Sequence, residues 1–152
     1  MNLQSIDAGT TCCGWASWVN NTLVECGLSR TQGKTMEDRV RDFQFSWKDL
    51  DLVVVEKPEI YQQRFWKGDP RDLIDLAMVV GGIIWSAPCS VKTVYPKEWK
   101  GQVPKYVTDA RALGKLTSVE KKVLSNPTAL GQPASVPTSL FISCQLVPSG
   151  VT

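Results

Sequence analysis

The chain has 152 residues, 43% of them apolar and 21% charged, which are ordinary values for a globular domain with its own core. It carries 17 Lys and Arg, 15 Asp and Glu, and no His. The lack of His excludes Ser-His and Cys-His catalysis and any His-ligated metal site. Acid–base or metal chemistry must therefore come from carboxylates, Lys, Tyr or Cys.

The charges are unevenly distributed along the chain. Residues 1–84 carry 12 acidic and 9 basic side chains, residues 85–122 carry 3 and 8, and residues 123–152 carry none. An acidic part beside a basic part suggests a metal site that faces a polyanion. Scattered, solvated surface charge would give the same composition, so both interpretations stay open here.

The cysteines and the hydropathy pattern indicate the compartment. The chain has 5 Cys and no CxxC pair, which favours free, buried thiols in a reducing environment. It opens with no signal segment, and its longest apolar run is too short to span a membrane. We therefore expect a soluble, cytoplasmic protein.

The predicted elements follow one another in the order β-β-β-α-β-α-β-α. Strands are predicted over residues 3–7, 14–19, 22–27, 52–56 and 91–95, and helices over residues 34–48, 69–85 and 103–124. Asn20-Asn21 predicts a hairpin turn. The order predicts one α/β domain over residues 1–122, with three antiparallel strands followed by parallel ones. Residues 123–152 contain several prolines, and we expect an irregular tail there.

The second predicted helix has clear start signals. Asp69 suits the N-cap, Pro70 the first position, and Asp72 the first turn, where it favours the helix dipole. From residue 73 to residue 85 the helix is apolar almost all round, so we expect it to be largely covered. Gly81-Gly82 predicts close packing against a neighbour. The same surface could serve as a dimer face, and the sequence does not separate core from interface.

Two acidic residues end strongly predicted strands, namely Asp7 and Glu56. If these strands are parallel neighbours, both carboxylates emerge at the sheet edge where open α/β sheets bind their ligands. Two converging carboxylates suit Mg²⁺ or Mn²⁺, and the chemistry that needs such a site is phosphoryl transfer or phosphodiester hydrolysis. The same residues could equally serve as strand-end solubility residues.

The loop after Asp7 reads Asp-Ala-Gly-Thr-Thr. Gly9 allows the backbone to turn tightly beside a phosphate. This hairpin resembles the first phosphate loop of the actin and sugar-kinase superfamily. Those ATPases need two such domains, which a chain of 152 residues cannot hold, so an ATPase is excluded.

Four segments together resemble one family, the RuvC-like Holliday junction resolvases. They are residues 6–16 (IDAGTTCCGWA), 53–58 (VVVEKP), 67–77 (KGDPRDLIDLA) and 96–105 (PKEWKGQVPK), of which the last two resemble the phage-type members. The match covers residues 3–122. It implies a ribonuclease H-like fold with a five-stranded mixed sheet flanked by helices. It also implies metal-dependent cleavage of branched DNA, usually by a homodimer that cuts two opposed strands.

The resemblance assigns roles by position. Asp7 and Glu56 would be the catalytic metal ligands for Mg²⁺ or Mn²⁺. Lys100 and Lys105 match basic positions near the family's active site, where they would contact phosphate or stabilise charge in the transition state. Lys92 and Lys97 belong to the same basic run and would extend this phosphate track, unless the run is a solvated face.

The loop after Glu56 interleaves aromatic and basic residues. Its members are Tyr61, Arg64, Phe65 and Lys67. Stacking aromatic rings beside cations is how proteins hold unpaired or distorted nucleic acid. A hydrophobic flap packed on the domain is the alternative.

The chain departs from the family's pattern at its C-terminal end. The family's remaining metal-binding acids open its last helix, whereas the last acidic residue here is Glu120. Asp72 and Asp75 share one helix face and are closer in type, although capping and solvation explain them as well. Two hypotheses follow. The chain is an endonuclease for branched DNA, or it is a catalytically incomplete module that binds such DNA without cleaving it.

Overall fold

One mixed sheet flanked by helices forms the molecule. The computed structural model describes residues 1–59, 69–99, 105–126 and 128–130. The elements are β1 (Asn2–Asp7), β2 (Cys12–Val19), β3 (Thr22–Arg30), α1 (Met36–Asp42), β4 (Leu52–Glu56), α2 (Pro70–Ser86), β5 (Ser90–Val94), α3 (Pro96–Trp99), α4 (Lys105–Lys115), α5 (Ser118–Ser125) and β6 (Thr128–Leu130). The strands lie in the order β5-β4-β1-β2-β3-β6.

Strand directions confirm the predicted mixed sheet. β1, β2 and β3 pair antiparallel, β4 is parallel to β1, and β5 is parallel to β4. The short β6 adds a further strand, parallel to β3, at the edge of the sheet. The five predicted strands are all present, and the sheet is extended by one.

The hairpin between β2 and β3 turns at Asn20 and Asn21, as predicted. Their φ angles are 49° and 65°, the left-handed pair that a type I′ turn requires and that Asn tolerates. The ladder of this hairpin continues to the pair of Cys12 with Arg30, so β3 ends beyond the predicted residue 27. Leu28 and Ser29 are 1% and 0% exposed, and their burial in the sheet carries the strand onward.

Each face of the sheet carries its own hydrophobic core. On one face, side chains of β1, β2 and β4 pack with α2; the buried members are Ile6, Cys13, Trp15, Val53, Val55, Val79, Val80 and Ile83. On the other face, β2 and β3 pack with α4 and α5 through Ala16, Leu23, Cys26, Leu28, Leu116 and Leu124. β4 lies between β1 and β5 and is covered on both faces, so its three valines are buried, as its continuous β-branched run predicted.

The start of α2 is as predicted. The Asp69 carboxylate accepts a hydrogen bond of 2.9 Å from the Arg71 N–H, and Pro70 is the first helical residue. A Cβ at Gly82 would overlap the Val40 side chain of α1, so this glycine permits close helix packing, whereas a Cβ at Gly81 would meet nothing within 4 Å.

The expectation that α2 is largely covered is wrong. Its buried residues are Val79, Val80 and Ile83, which lie on one face of the helix. On the opposite face, Ile74 is 62% exposed and Trp85 is 91% exposed. The sheet covers only one face of α2, and none of the described elements packs over the other.

The first predicted helix, over residues 34–48, is shorter than expected. α1 ends at Asp42, and the chain continues extended with Phe43, Phe45 and Trp47 packed toward the core. These aromatic residues alternate with polar ones, a period of two that fits an extended chain rather than a helix. Their ring centroids lie 6.4 Å and 5.2 Å apart along the series.

The predicted helix over residues 103–124 is divided into α4 and α5. Thr117 separates them and forms the N-cap of α5, where its hydroxyl accepts from the Glu120 N–H at 3.3 Å. The predicted tail boundary therefore falls inside α5, and residues 128–130 form β6 rather than an irregular segment. Residues 131–152 lie outside the described part, so the division at residue 122 stays a prediction. Among the described helices, none has the length and hydropathy to cross a membrane.

Glu120 is a buried carboxylate, 6% exposed, that joins α5 to the hairpin of β2 and β3. One oxygen accepts from the Leu23 N–H at 3.0 Å, and the other accepts from the Thr117 N–H at 2.8 Å and hydroxyl at 2.7 Å. The hydrogen bond from the Leu23 backbone, with those from Thr117, lowers the pKa of this carboxyl against the opposing effect of burial. Since Leu23 lies next to the hairpin turn, Glu120 is at the opposite end of the sheet from Asp7.

We expect Glu120→Gln to lower the free energy of unfolding at pH 7 by about 1–3 kcal/mol, the range for removing one partner of a buried polar group. The pKa of Glu120 is depressed in the folded state. Its contribution is therefore present above the ordinary glutamate pKa of about 4.3 and is lost as the pH falls through the folded pKa. Urea unfolding of both proteins across acidic pH measures this. A difference that stays constant down to pH 2 would contradict the role.

Candidate functional site

Asp7 and Glu56 end two neighbouring parallel strands. The register of β1 with β4 runs to the pair of Ile6 with Val55, so Asp7 and Glu56 are the next residues on their strands. Ile6 and Val55 face the core beneath α2. Since side chains alternate along a strand, both carboxylates belong to the other face of the sheet. The two half-buried side chains thus lie at one edge, as the sequence predicted, and they also share one face.

The loop between β1 and β2 is tightly folded beside Asp7. A Cβ at Gly9 would overlap the carbonyl oxygen of Cys12, so no other residue fits the observed backbone. The Cys13 thiol donates to the Gly9 carbonyl at 3.5 Å and fixes the loop from the core side. Burial raises the pKa of this thiol to about 12, which makes Cys13 a neutral packing group rather than a nucleophile.

The described cysteines agree with the expected free thiols. Cys12, Cys13, Cys26 and Cys89 form no disulfide. Burial is the largest cause that raises the pKa of Cys26 to about 11, and the Glu25 carboxylate adds to it. At neutral pH this thiol is protonated, so it too lacks the thiolate needed for nucleophilic chemistry.

Two cations near this edge, Lys57 and Arg30, were not predicted from the sequence. Lys57 follows Glu56, and its N–H donates a 2.8 Å hydrogen bond to the Val94 carbonyl, which extends the pairing of β4 with β5. Its ammonium lies 5.0 Å from the centre of the Tyr95 ring. Arg30 ends β3 opposite Cys12. The signal for Lys57 was its place directly after a strand-end acid. Arg30 was missed because β3 was predicted to end too early.

The carboxylates available to a metal are few. Within the described ranges, no group of three or more Cys, Asp or Glu side chains is arranged to hold a metal ion. Asp72 and Asp75 lie on α2, which packs on the face opposite to Asp7 and Glu56. Two carboxylates nevertheless suit Mg²⁺ or Mn²⁺, since Mg²⁺ is usually bound by one or two carboxylates together with waters and substrate phosphates.

The basic residues predicted to contact DNA are only partly described. Lys92 is exposed on β5, opposite Val54, and shares the face of Glu56. Lys97 lies in α3 and Lys105 begins α4, but their side chains are outside the described part. The positions of Lys100, Tyr61, Arg64, Phe65 and Lys67 also fall outside the described residues. The DNA-binding roles of these residues stay predictions.

Comparison with known proteins supports the fold. No model of a known protein family matches the chain, and no curated protein matches it either. Among solved structures, the chain is similar to Thermus thermophilus RuvC, with 14% identity, a TM-score of 0.58, and coverage of 95% of this chain and 91% of that one. It is also similar to T. thermophilus RuvC in complex with a Holliday junction substrate, with 14% identity, a TM-score of 0.54, and coverage of 95% and 90%. The chain therefore has the RuvC-type, ribonuclease H-like fold.

We expect Gly9→Ala to lower the free energy of unfolding by about 1–3 kcal/mol, the usual cost of overpacking, because its Cβ would overlap the Cys12 carbonyl. Gly114→Ala is the matched control, because a Cβ there meets nothing within 4 Å. In the helix α4 it should be neutral or stabilising. Urea denaturation of both variants tests this, and equal stabilities would contradict the tight loop.

Proposed function

We propose that this chain is a metal-dependent endonuclease that hydrolyses DNA phosphodiesters at four-way junctions or other branch points. The observation that carries the proposal is the placement of Asp7 and Glu56 on adjacent parallel strands, at one edge and on one face of the sheet. The RuvC-type fold supports this chemistry, and the similar structure bound to a Holliday junction supports the substrate class.

Asp7 and Glu56 would hold Mg²⁺ or Mn²⁺. When bound, such an ion activates water and stabilises charge on the phosphate and the leaving oxygen. The chain's own residues position the substrate. Lys92 presents its ammonium on the same face as Glu56, and we assign Lys97, Lys100 and Lys105 to the same phosphate track.

The segment after Glu56 would engage the branch point. Tyr61 and Phe65 supply rings on which unpaired bases stack, and Arg64 and Lys67 supply adjacent positive charge. A branch point interrupts base stacking and so exposes base faces, whereas a continuous duplex does not. Stacking in this loop would therefore favour branched over linear DNA.

A second candidate function is a module that binds branched DNA without cleaving it. It is favoured by one observation, namely that within the described ranges Asp7 and Glu56 are not joined by a third ligand in a metal-binding group. The sequence after residue 122 also contains no acidic residue. The two functions share the DNA surface and differ only in whether the metal site is sufficient.

We further propose that the protein acts as a homodimer through the outer face of α2. From Ile74 onward the exposed residues of this face are uncharged and mostly apolar, namely Ile74, Ala77, Met78, Gly81, Ile84 and Trp85. A single stripe of this kind suits a second copy of itself, because a two-fold axis brings the same apolar surface to both sides. Gly81, open at its centre, would let the two helices approach closely. Two protomers would supply the two sites that cutting two opposed strands requires.

Removal of a metal ligand gives the first test. We expect Asp7→Asn to reduce cleavage of a four-way junction about 10³-fold, since metal assistance is worth several kcal/mol of transition-state stabilisation. Binding of the junction should be unaffected. Asp72→Asn, on the exposed first turn of α2, is the matched control and should cleave at the wild-type rate. Rates are read from labelled strands on a denaturing gel with Mn²⁺.

Four outcomes decide between the candidate functions. Symmetric nicks by the wild type that vanish in Asp7→Asn support the endonuclease. A gel shift without nicks supports the binding module. Cleavage by Asp7→Asn at the wild-type rate overturns the assigned site, and no binding by the wild type overturns both functions.

The dimer is tested by Gly81→Gln. In one protomer the new side chain meets open space and improves helix propensity, so the protomer should stay folded. Between two closely packed helices it has no room, so we expect the dimer to dissociate. Val119→Gln, on α5 where Val119 is 66% exposed, is the control for an altered surface. Sedimentation equilibrium gives the masses. A monomeric wild type, or a Gly81→Gln protein as dimeric as wild type, contradicts this interface.

A further inference from the structure

Arg30 lies at the same end of the sheet as the two carboxylates, where β1, β3 and β4 have their carboxyl ends. It ends β3 and pairs with Cys12, the first residue of β2, while Asp7 pairs with Gly14 farther along β2. Cys12 and Gly14 are separated by one residue and therefore share a face, so Arg30 and Asp7 share that face as well. With strands about 4.8 Å apart, Arg30 is about two strand spacings from Asp7 across the sheet.

The backbone on both sides of Arg30 is fixed. Before it, Ser29 is 0% exposed, and its hydroxyl accepts from the Gln44 N–H at 2.9 Å. After it, the Thr31 N–H donates to the Thr11 carbonyl at 3.2 Å, and the Thr31 hydroxyl donates to the Asp42 carboxylate at 3.1 Å. These bonds connect the end of β3 to the loop that follows Asp7 and to α1. The position from which the Arg30 side chain extends is thus set in advance.

The Arg30 side chain is half-buried and lies near the charge of Asp7. Arg30 and Asp7 both affect the pKa of the Cys12 thiol. Burial raises its pKa, the Arg30 charge opposes this, and the Asp7 carboxylate adds to it. Arg30 and Asp7 therefore flank the same residue.

We propose that Arg30 binds a backbone phosphate of the DNA strand that lies across the Asp7 end of the site. The inference rests on the proposed function and extends it, because it assigns a phosphate contact on the side of Asp7 away from Glu56 and the predicted lysine track. A guanidinium presents a fork of donors that matches two phosphate oxygens, which an ammonium cannot do. A cation fixed in advance near the carboxylates also offsets their repulsion of the phosphate.

A purely structural Arg30 is the competing explanation. The hydrogen bonds that fix the end of β3 are made by Ser29 and Thr31. Their partners are the backbone of Gln44 and Thr11 and the carboxylate of Asp42. Removing the guanidinium should therefore leave the fold intact. This separates a role in binding from a role in stability.

The test measures junction affinity against salt for the wild type, Arg30→Gln and Arg30→Lys. The control is Lys121→Gln, an exposed charge next to Glu120 at the opposite end of the sheet. For Arg30→Gln we expect roughly tenfold weaker binding at low salt, and a slope of log affinity against log salt that is smaller by about 0.9. Arg30→Lys should keep the wild-type slope with part of the affinity lost. Lys121→Gln should match the wild type.

Single methylphosphonates placed in turn at each phosphate near the branch point locate the contact. At one position the wild type and Arg30→Lys should lose affinity, whereas Arg30→Gln should lose nothing further. If the Gln variant is poorly folded by thermal melting, the methylphosphonate scan with wild type and Arg30→Lys decides. At the contacted position the wild type should then lose more affinity than Arg30→Lys, because the guanidinium makes a bidentate contact with the phosphate and the ammonium does not.

The outcomes separate this inference from the proposed function. If the wild type binds the junction but Arg30→Gln keeps its affinity and salt slope, the Arg30 contact is overturned and the proposed function stands. If no methylphosphonate position distinguishes wild type from Arg30→Lys or Arg30→Gln, it is likewise overturned. If the wild type binds no junction, the proposed function fails and the Arg30 contact fails with it.

Discussion

The parallel pairing of β1 with β4 is the constraint on which the candidate site depends. Its register ends at Ile6 and Val55, and the alternation of side chains along each strand then decides which face the next residue occupies. Ile6 and Val55 are buried beneath α2, so Asp7 and Glu56 must both turn to the other face. A shift of one residue in either strand would bury one carboxylate in the core and separate the pair. The stability of the core and the geometry of the site therefore have a common origin.

Much of the fold follows from local sequence signals with a clear physical basis. The valines before Glu56, the Asn pair of the hairpin and the cap at Asp69 each specify their element directly, and all three predictions are confirmed. Errors arose where tertiary packing decides. The burial of Leu28 and Ser29 lengthens β3, and the apolar surface of α2 is covered on one side only, which composition alone does not show.

The candidate site was predictable in part for the same reason. Strand ends locate Asp7 and Glu56, because a strand-end acid is visible in the sequence. Arg30 could not be predicted from the sequence, because its position at the site follows from the end of β3. That end is set by the pairing of Arg30 with Cys12. Glu120 has a structural rather than a ligand role for a reason that sequence cannot give. Its partner Leu23 is far away in the chain, and only the folded hairpin brings the Leu23 N–H to the carboxylate.

The two glycines of α2 make the helix thinnest at its middle turn. Gly82 brings Val40 of α1 against the helix backbone, and Gly81 leaves the outer side of that turn bare. Two residues after Val40, Asp42 accepts the hydrogen bond from the Thr31 hydroxyl, next to Arg30. The turn of α2 that carries both glycines is thus joined to the end of β3 through α1, by the contact of Gly82 with Val40 and the hydrogen bond of Thr31 to Asp42. The helix that packs on Gly82 is therefore the same one that holds the end of β3 beside Arg30.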